Sequence, residues 1–199
     1  MIDPDGRKVV PHNSFMNSQY GVVYEKLSSN SVYSSITSGY ASSSVNNLHL
    51  DVNMNESGFA AGVCQVTNSV VNGIVVAVNA QTYYGEPNGR KQNEIGMVKT
   101  LLHESIHAKN ALEGIPNLSS HDGFNRETLL NGLKEYNSTN NLGYSDTDLE
   151  TISWSGLENS KEFDSYIQNI AKQNGTTSAT ERRNHALKMD KLIYVEPIE

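Results

Sequence analysis

His103, Glu104 and His107 spell an H-E-x-x-H pattern within residues 101–108. On a helix, residues four apart lie one turn above each other on the same face, so both imidazoles point the same way. Two neutral ring nitrogens at that spacing suit Zn²⁺, and the carboxylate between them is placed to activate a water at the metal. That is the chemistry of a zinc peptidase. The plain alternative is a solvated amphipathic helix that happens to carry two surface histidines.

Two imidazoles do not complete a catalytic zinc site, which takes three protein ligands and leaves a fourth position open. His121 is the choice for the third: it follows His107 by fourteen residues, past a break at Gly114 and Pro116 where the chain has room to turn back. Glu127, Asp122 and Glu150 are its rivals. His185, among Arg182, Arg183 and Lys188, reads as part of a solvated face, and His12 and His49 read as structural. Glu104 is expected to accept a proton from the attacking water and pass it to the leaving amine rather than to bind metal. Tyr83, Tyr84, Tyr136 and Tyr144 are candidates to steady the oxyanion that would form.

The helix that positions the pattern is signalled by Ile95, Val98, Leu101, Leu102, Ile106 and Leu112 at helical spacing. Asn93 is its candidate N-cap, and Gly114 followed by Pro116 its stop. A small, mainly antiparallel sheet is expected before it. Leu48, Leu50, Val52 and Met54 alternate with polar residues, a second strand falls within 60–67, and Asn72-Gly73 is hairpin turn chemistry ahead of the β-branched run 74–78. The edge of the strand at 74–79 is a candidate for pairing with an extended peptide. Upstream, one helix is expected over 14–27, then a Ser-rich loop with a short helical turn over 28–44. Downstream the pattern is helical: apolar residues from Phe124 to Tyr136, a capping box at 145–148, a cap at Ser160 and a second box at 178–181. Residues 192–195 could add a short strand. The fold class is α+β.

With 199 residues, the chain is long enough for one domain with a sizeable core, placed at 13–199, and residues 1–12 read as a linker. A net charge of −7 argues against a nucleic-acid partner. No apolar run approaches the roughly 20 residues of a membrane span. The single Cys64 has no partner for an internal disulfide, so packing, with or without a metal, must hold the fold. The N-terminal residues are polar and turn-forming rather than signal-like, so export is expected to depend on something outside this chain.

Two resemblances arise from these residues. The stretch His103-Glu104-Ser105-Ile106-His107-Ala108, then His121 and Phe124, is similar to SprT-like zinc metallopeptidases, whose pattern is H-E-x-x-H-A, a helix end with Gly, then His-Gly and an aromatic. Here Asp122 stands between the His and the Gly. Leu133 to Tyr136 and Ile152 to Asn159 also look like a group of bacterial H-E-x-x-H proteins with that third His. The resemblance covers roughly residues 95–170. It implies a minimal zincin-like fold, a zinc cofactor on His103, His107 and His121, Glu104 as the catalytic residue and a protein or peptide substrate. The cysteine zinc ribbon of some SprT relatives is absent. The second resemblance is Ile2-Asp3-Pro4-Asp5-Gly6-Arg7, which looks like the end of the core in Rhs/YD-repeat proteins. It implies the effector tip of a polymorphic toxin, delivered by a larger parent into the cytoplasm of a target cell, with a cognate immunity protein as partner. The alternatives are a zincin-fold domain that holds metal without catalysis, and a toxin that is not a peptidase.

Overall fold

A computed structural model describes residues 9–42, 47–53, 62–67, 73–79, 91–116 and 120–195. Among them are eight helices, a four-stranded sheet and a two-stranded one, consistent with an α+β class in which helix predominates.

The larger sheet is built from β1 (Val9–Pro11), β2 (Asn47–Asn53), β3 (Gly62–Thr67) and β4 (Gly73–Asn79) in the order β1-β2-β4-β3. β1 and β2 run parallel, as do β2 and β4; only β3 and β4 are antiparallel. The expectation of a mainly antiparallel sheet is therefore corrected. Alternation in a strand reports which residues share a face, and says nothing about the direction of the partner. β2 buries Leu48, His49 and Leu50 in succession, as a parallel strand covered on both faces does. β4 lies between β2 and β3, so both of its edges are paired and the strand at 74–79 has none to offer a substrate. β3 and β1 hold the two outer positions instead.

The expected linker also ends sooner than residue 12. Val9 is buried and pairs in register with Leu48, and the His12 N–H donates to the Leu50 carbonyl at 2.9 Å. Residues 1–8, with the rest of that expectation, lie outside the described residues.

The single helix expected over 14–27 is two, α1 (Asn13–Met16) and α2 (Gln19–Leu27). Gly21 makes the corner possible: a Cβ there would sit 2.4 Å from the Met16 carbonyl oxygen. The Ser-rich segment read as a loop is α3 (Ser31–Ser42). Serine is a poor helix former, but Tyr33, Ile36, Thr37 and Tyr40 fall on one stripe and are all buried, and tertiary packing of that stripe outweighs propensity.

α4 (Glu94–Leu112) carries the motif and packs against β3 and β4 on one side and against α2, α3 and α5 (Arg126–Asn140) on others. The Asn93 side chain caps it by accepting from the Gly96 N–H, as expected. Every residue from Ile95 to Ile106 is buried, which rules out the solvated surface helix. α6 (Asp146–Ser153) opens with the capping box of Ser145 and Asp148, and α7 (Lys161–Asn174) is capped by Ser160. α8 (Ser178–Ile193) is capped by Thr177, one residue before the expected Ser178, and Glu181 accepts from Thr176 instead of closing a box. β5 (Lys91–Gln92) and β6 (Tyr194–Val195) pair antiparallel and tie the start of α4 to the end of α8. The Asn93 N–H to Ile193 carbonyl bond of 3.0 Å reinforces that tie.

Candidate metal centre

α4 sets His103 and His107 one turn apart, with their Nε2 atoms 3.1 Å apart. Two nitrogens on a tetrahedral Zn²⁺, each about 2.05 Å from it, would stand about 3.3 Å apart. His121 arrives from the turn after the helix, its ring centroid 5.2 Å from that of His103 and 5.0 Å from that of His107. One ring nitrogen from each of the three lies within 4.8 Å of the others. The three imidazoles thus meet without any carboxylate among them, a donor set that suits zinc.

The turn that delivers His121 is conformationally specific. His121 has φ of 59° and Gly123 φ of 76°, and the Phe124 N–H donates to the His121 carbonyl at 3.0 Å. A left-handed residue that is not glycine costs on the order of 1 kcal/mol and persists only where its surroundings over-determine it. Phe124 then lies on the His103 ring, centroids 4.6 Å apart and planes 23° apart.

The three histidines differ in environment. His103 is buried, whereas His107 and His121 are partly exposed, so the group is open to solvent from their side. Burial, then the Lys99 ammonium and the other two imidazoles, hold His103 well below the ordinary imidazole range. It is therefore neutral at pH 7, the state a metal ligand needs. Its other nitrogen, Nδ1, is buried without a hydrogen-bond partner.

Glu104 follows His103 on the same helix and is 8 % exposed. Lys99, one turn before His103, is buried too. Burial pushes its ammonium below the usual lysine range, opposed by the charges of Glu104 and Glu158. Gly156, at φ of 82°, packs against both: a Cβ there would come within 3.1 Å of Lys99 Nζ and 3.4 Å of His103 Cε1. Lys99 and Gly156 escape a motif search, because a lysine inside an apolar stripe reads as an exposed flank and a single glycine reads as a turn.

The other candidates go elsewhere. Asp122 accepts from the Lys161 backbone N–H and pairs with its ammonium at 3.0 Å. Glu150 faces Arg126 at 3.8 Å, and Glu127 is exposed on the first turn of α5. Tyr136 Oη donates to Glu94, and Tyr144 Oη lies 3.3 Å from Asn93 Nδ2. Both are therefore at the N-terminal end of α4, about 13 Å along the axis from His103, and are not placed to steady an oxyanion there. Tyr83 and Tyr84 lie outside the described residues. His185 is corrected: it is 9 % exposed, against the rings of Phe163 and Tyr166, not on a solvated face. His12 and His49 contact each other, His12 Nε2 standing 3.1 Å from His49 Nδ1, and His12 Nδ1 lies 3.4 Å from Asp51, which binds β1 to β2.

No family model, no curated protein and no solved structure matches this chain.

Proposed function

We propose that this chain is a zinc-dependent peptidase of the zincin kind, with His103, His107 and His121 as metal ligands and Glu104 as the proton carrier. The observation behind this reading is that three neutral-capable imidazoles, two from one buried helix and one from a left-handed turn, come together beside a carboxylate one residue away. When bound, zinc supplies a Lewis acid that polarises a carbonyl and brings the pKa of a coordinated water to about 7. Glu104 takes the proton from the attacking water and delivers it to the amine nitrogen as the peptide C–N bond breaks. Contacts of the His103 ring with Phe124 and Gly156 hold the direction of its Nε2. The partial exposure of His107 and His121 leaves room for substrate on that side. Because β3 is one of the two edge strands of the described sheet and packs with α4, an extended peptide added to its edge would run alongside the helix.

The same proposal takes the chain as a toxin effector carried by a larger parent and restrained by an immunity protein. That part rests on the resemblance of residues 2–7, which lie outside the described residues. Among the described residues no helix is long and apolar enough to cross a membrane.

The deciding experiment is Glu104→Gln. The variant should hold zinc as the wild type does while cleavage of a protein substrate falls by at least about 10²-fold. Cleavage that survives the change overturns the mechanism. A wild-type chain that binds zinc tightly and cleaves nothing supports the non-catalytic alternative.

A further inference from the structure

We infer that the cavity beside His121 is a side-chain pocket that selects a lysine or arginine next to the bond to be cut; this rests on the peptidase reading. The cavity is about 230 Å³ and has His121 in its wall. That is below the 300–1,000 Å³ of a pocket for a drug-sized molecule and suits a single long side chain. Phe124, Trp154 and Leu157 supply apolar lining, and Arg126, Glu127 and Glu162 supply charge.

The charges do not balance. The Arg126 guanidinium carbon lies over the Trp154 ring, 4.1 Å from its centroid, and the group donates to Ser153 Oγ at 2.8 Å and faces Glu150 at 3.8 Å. Its charge is therefore answered in part from outside the cavity, by Ser153 and Glu150, and in part by the Trp154 ring in the cavity wall. Glu162 accepts from the Gly123 N–H at 3.1 Å through one oxygen, and neither Glu162 nor Glu127 forms an ion pair with a described residue. Lys161, the neighbouring cation, is taken by Asp122. Two carboxylates thus stand without an ion pair in a recess that Phe124, Trp154 and Leu157 make partly apolar and that Asn125 and Ser160 also line. The stem of a lysine or arginine matches the aromatic lining and its head matches the carboxylates. A glutamate or aspartate would meet repulsion there.

The position of the pocket makes the selection bear on cleavage. Its wall includes His121 itself, so a side chain held in it brings the adjoining peptide bond to the three imidazoles.

The chain offers its own probe. Trp154 is the only tryptophan and lines the cavity, so its fluorescence reports occupancy without any turnover. The experiment titrates blocked pentapeptides Ala-Ala-X-Ala-Ala, with X as Arg, Lys, Leu or Glu, into the zinc-loaded full chain carrying Glu104→Gln. The Arg and Lys peptides should shift the Trp154 emission and bind about five- to tenfold tighter than the Leu and Glu peptides. Adding Glu127→Gln, an exposed change that does not threaten folding, should shrink that preference, and adding Glu162→Gln should remove it. Equal or tighter binding of the Leu or Glu peptide, no binding of any, or a preference that survives both changes overturns the pocket assignment. Cleavage assays on the wild type separate the two readings. If basic peptides bind but no peptide or protein is cut, the peptidase reading fails and the pocket stands. If peptides are cut without regard to X, the pocket fails and the peptidase stands.

Discussion

Phe124 lies nearly parallel on His103, ring centroids 4.6 Å apart, and links the turn that carries His121 to the helix that carries the other two imidazoles. The contact restricts rotation of His103 about its Cβ–Cγ bond and shields one face of the ring from water. Such outer contacts set the affinity of a metal site as well as its direct ligands do. Phe124→Ala should weaken zinc binding by about tenfold, and Phe124→Leu by less, with the helical circular dichroism unchanged. Competition against a chromogenic chelator measures both. Wild-type affinity in Phe124→Ala would show that the stack is incidental.

His121 should be replaceable without loss of the fold. Asparagine tolerates the left-handed region better than other side chains. His121→Asn should keep the turn, leave the thermal midpoint within a few degrees of wild type in the metal-free chain, and lose most zinc affinity. A variant that binds zinc as tightly as wild type would remove His121 from the ligand set.

Gly156 has both a left-handed backbone and a crowded α-carbon. Gly156→Ala should cost about 1–2 kcal/mol from backbone conformation alone. The added methyl would also displace Lys99 Nζ or the His103 ring, so zinc affinity should fall as well. Urea unfolding of the metal-free chain isolates the first effect, and zinc titration of the folded variant reads the second. Unchanged values in both would mean that the local backbone relaxes without cost.

His185 predicts an acid-sensitive fold. Both of its ring nitrogens are buried without partners, and burial, with a smaller push from the Lys188 charge, takes its pKa from 6.5 down to about 4. The folded value lies below the unfolded one, so the unfolded chain binds the proton first. The stability is complete above pH 6.5 and declines as pH falls from there to about 4, by up to about 3 kcal/mol. His103 pulls in the same direction when no metal is bound, so the comparison must be between variants. His185→Leu should lose less stability than wild type between pH 7.5 and pH 5, as read from urea midpoints of the metal-free chains. Equal losses would place the acid sensitivity elsewhere.

The parts of the fold that were legible are those written in local pattern. The span of α4, its Asn93 cap and the capping box at Ser145 follow from contiguous residues, because a helix closes its hydrogen bonds within itself. β2 and the antiparallel pairing of β3 with β4 were legible for a similar reason, since a short connection leaves adjacent strands few other arrangements. Other readings failed where distant contacts decided. The Ser-rich segment suggested no more than a short helical turn where α3 runs for twelve residues, a helix held by Tyr33, Ile36 and Tyr40 packing into the core. β4 inserts beside β2 and makes the sheet mainly parallel, a choice of strand order that no local alternation encodes. His185 sits among charges in sequence, yet α8 turns it under Phe163 and Tyr166.

By itself the sequence determined that His103 and His107 share one face of one helix with Glu104 beside them, because a 3.6-residue turn leaves no other outcome. It made His121 the choice for the third ligand but left Glu127, Asp122 and Glu150 within reach as rivals. Only the tertiary structure places them: the left-handed turn at His121 and Gly123 swings that imidazole to the other two, while Asp122 is drawn to Lys161 and Glu150 faces Arg126. The physical reason is range. Helical periodicity acts over a few neighbouring residues, whereas the meeting of a loop with a helix depends on every contact that folds the chain between and around them.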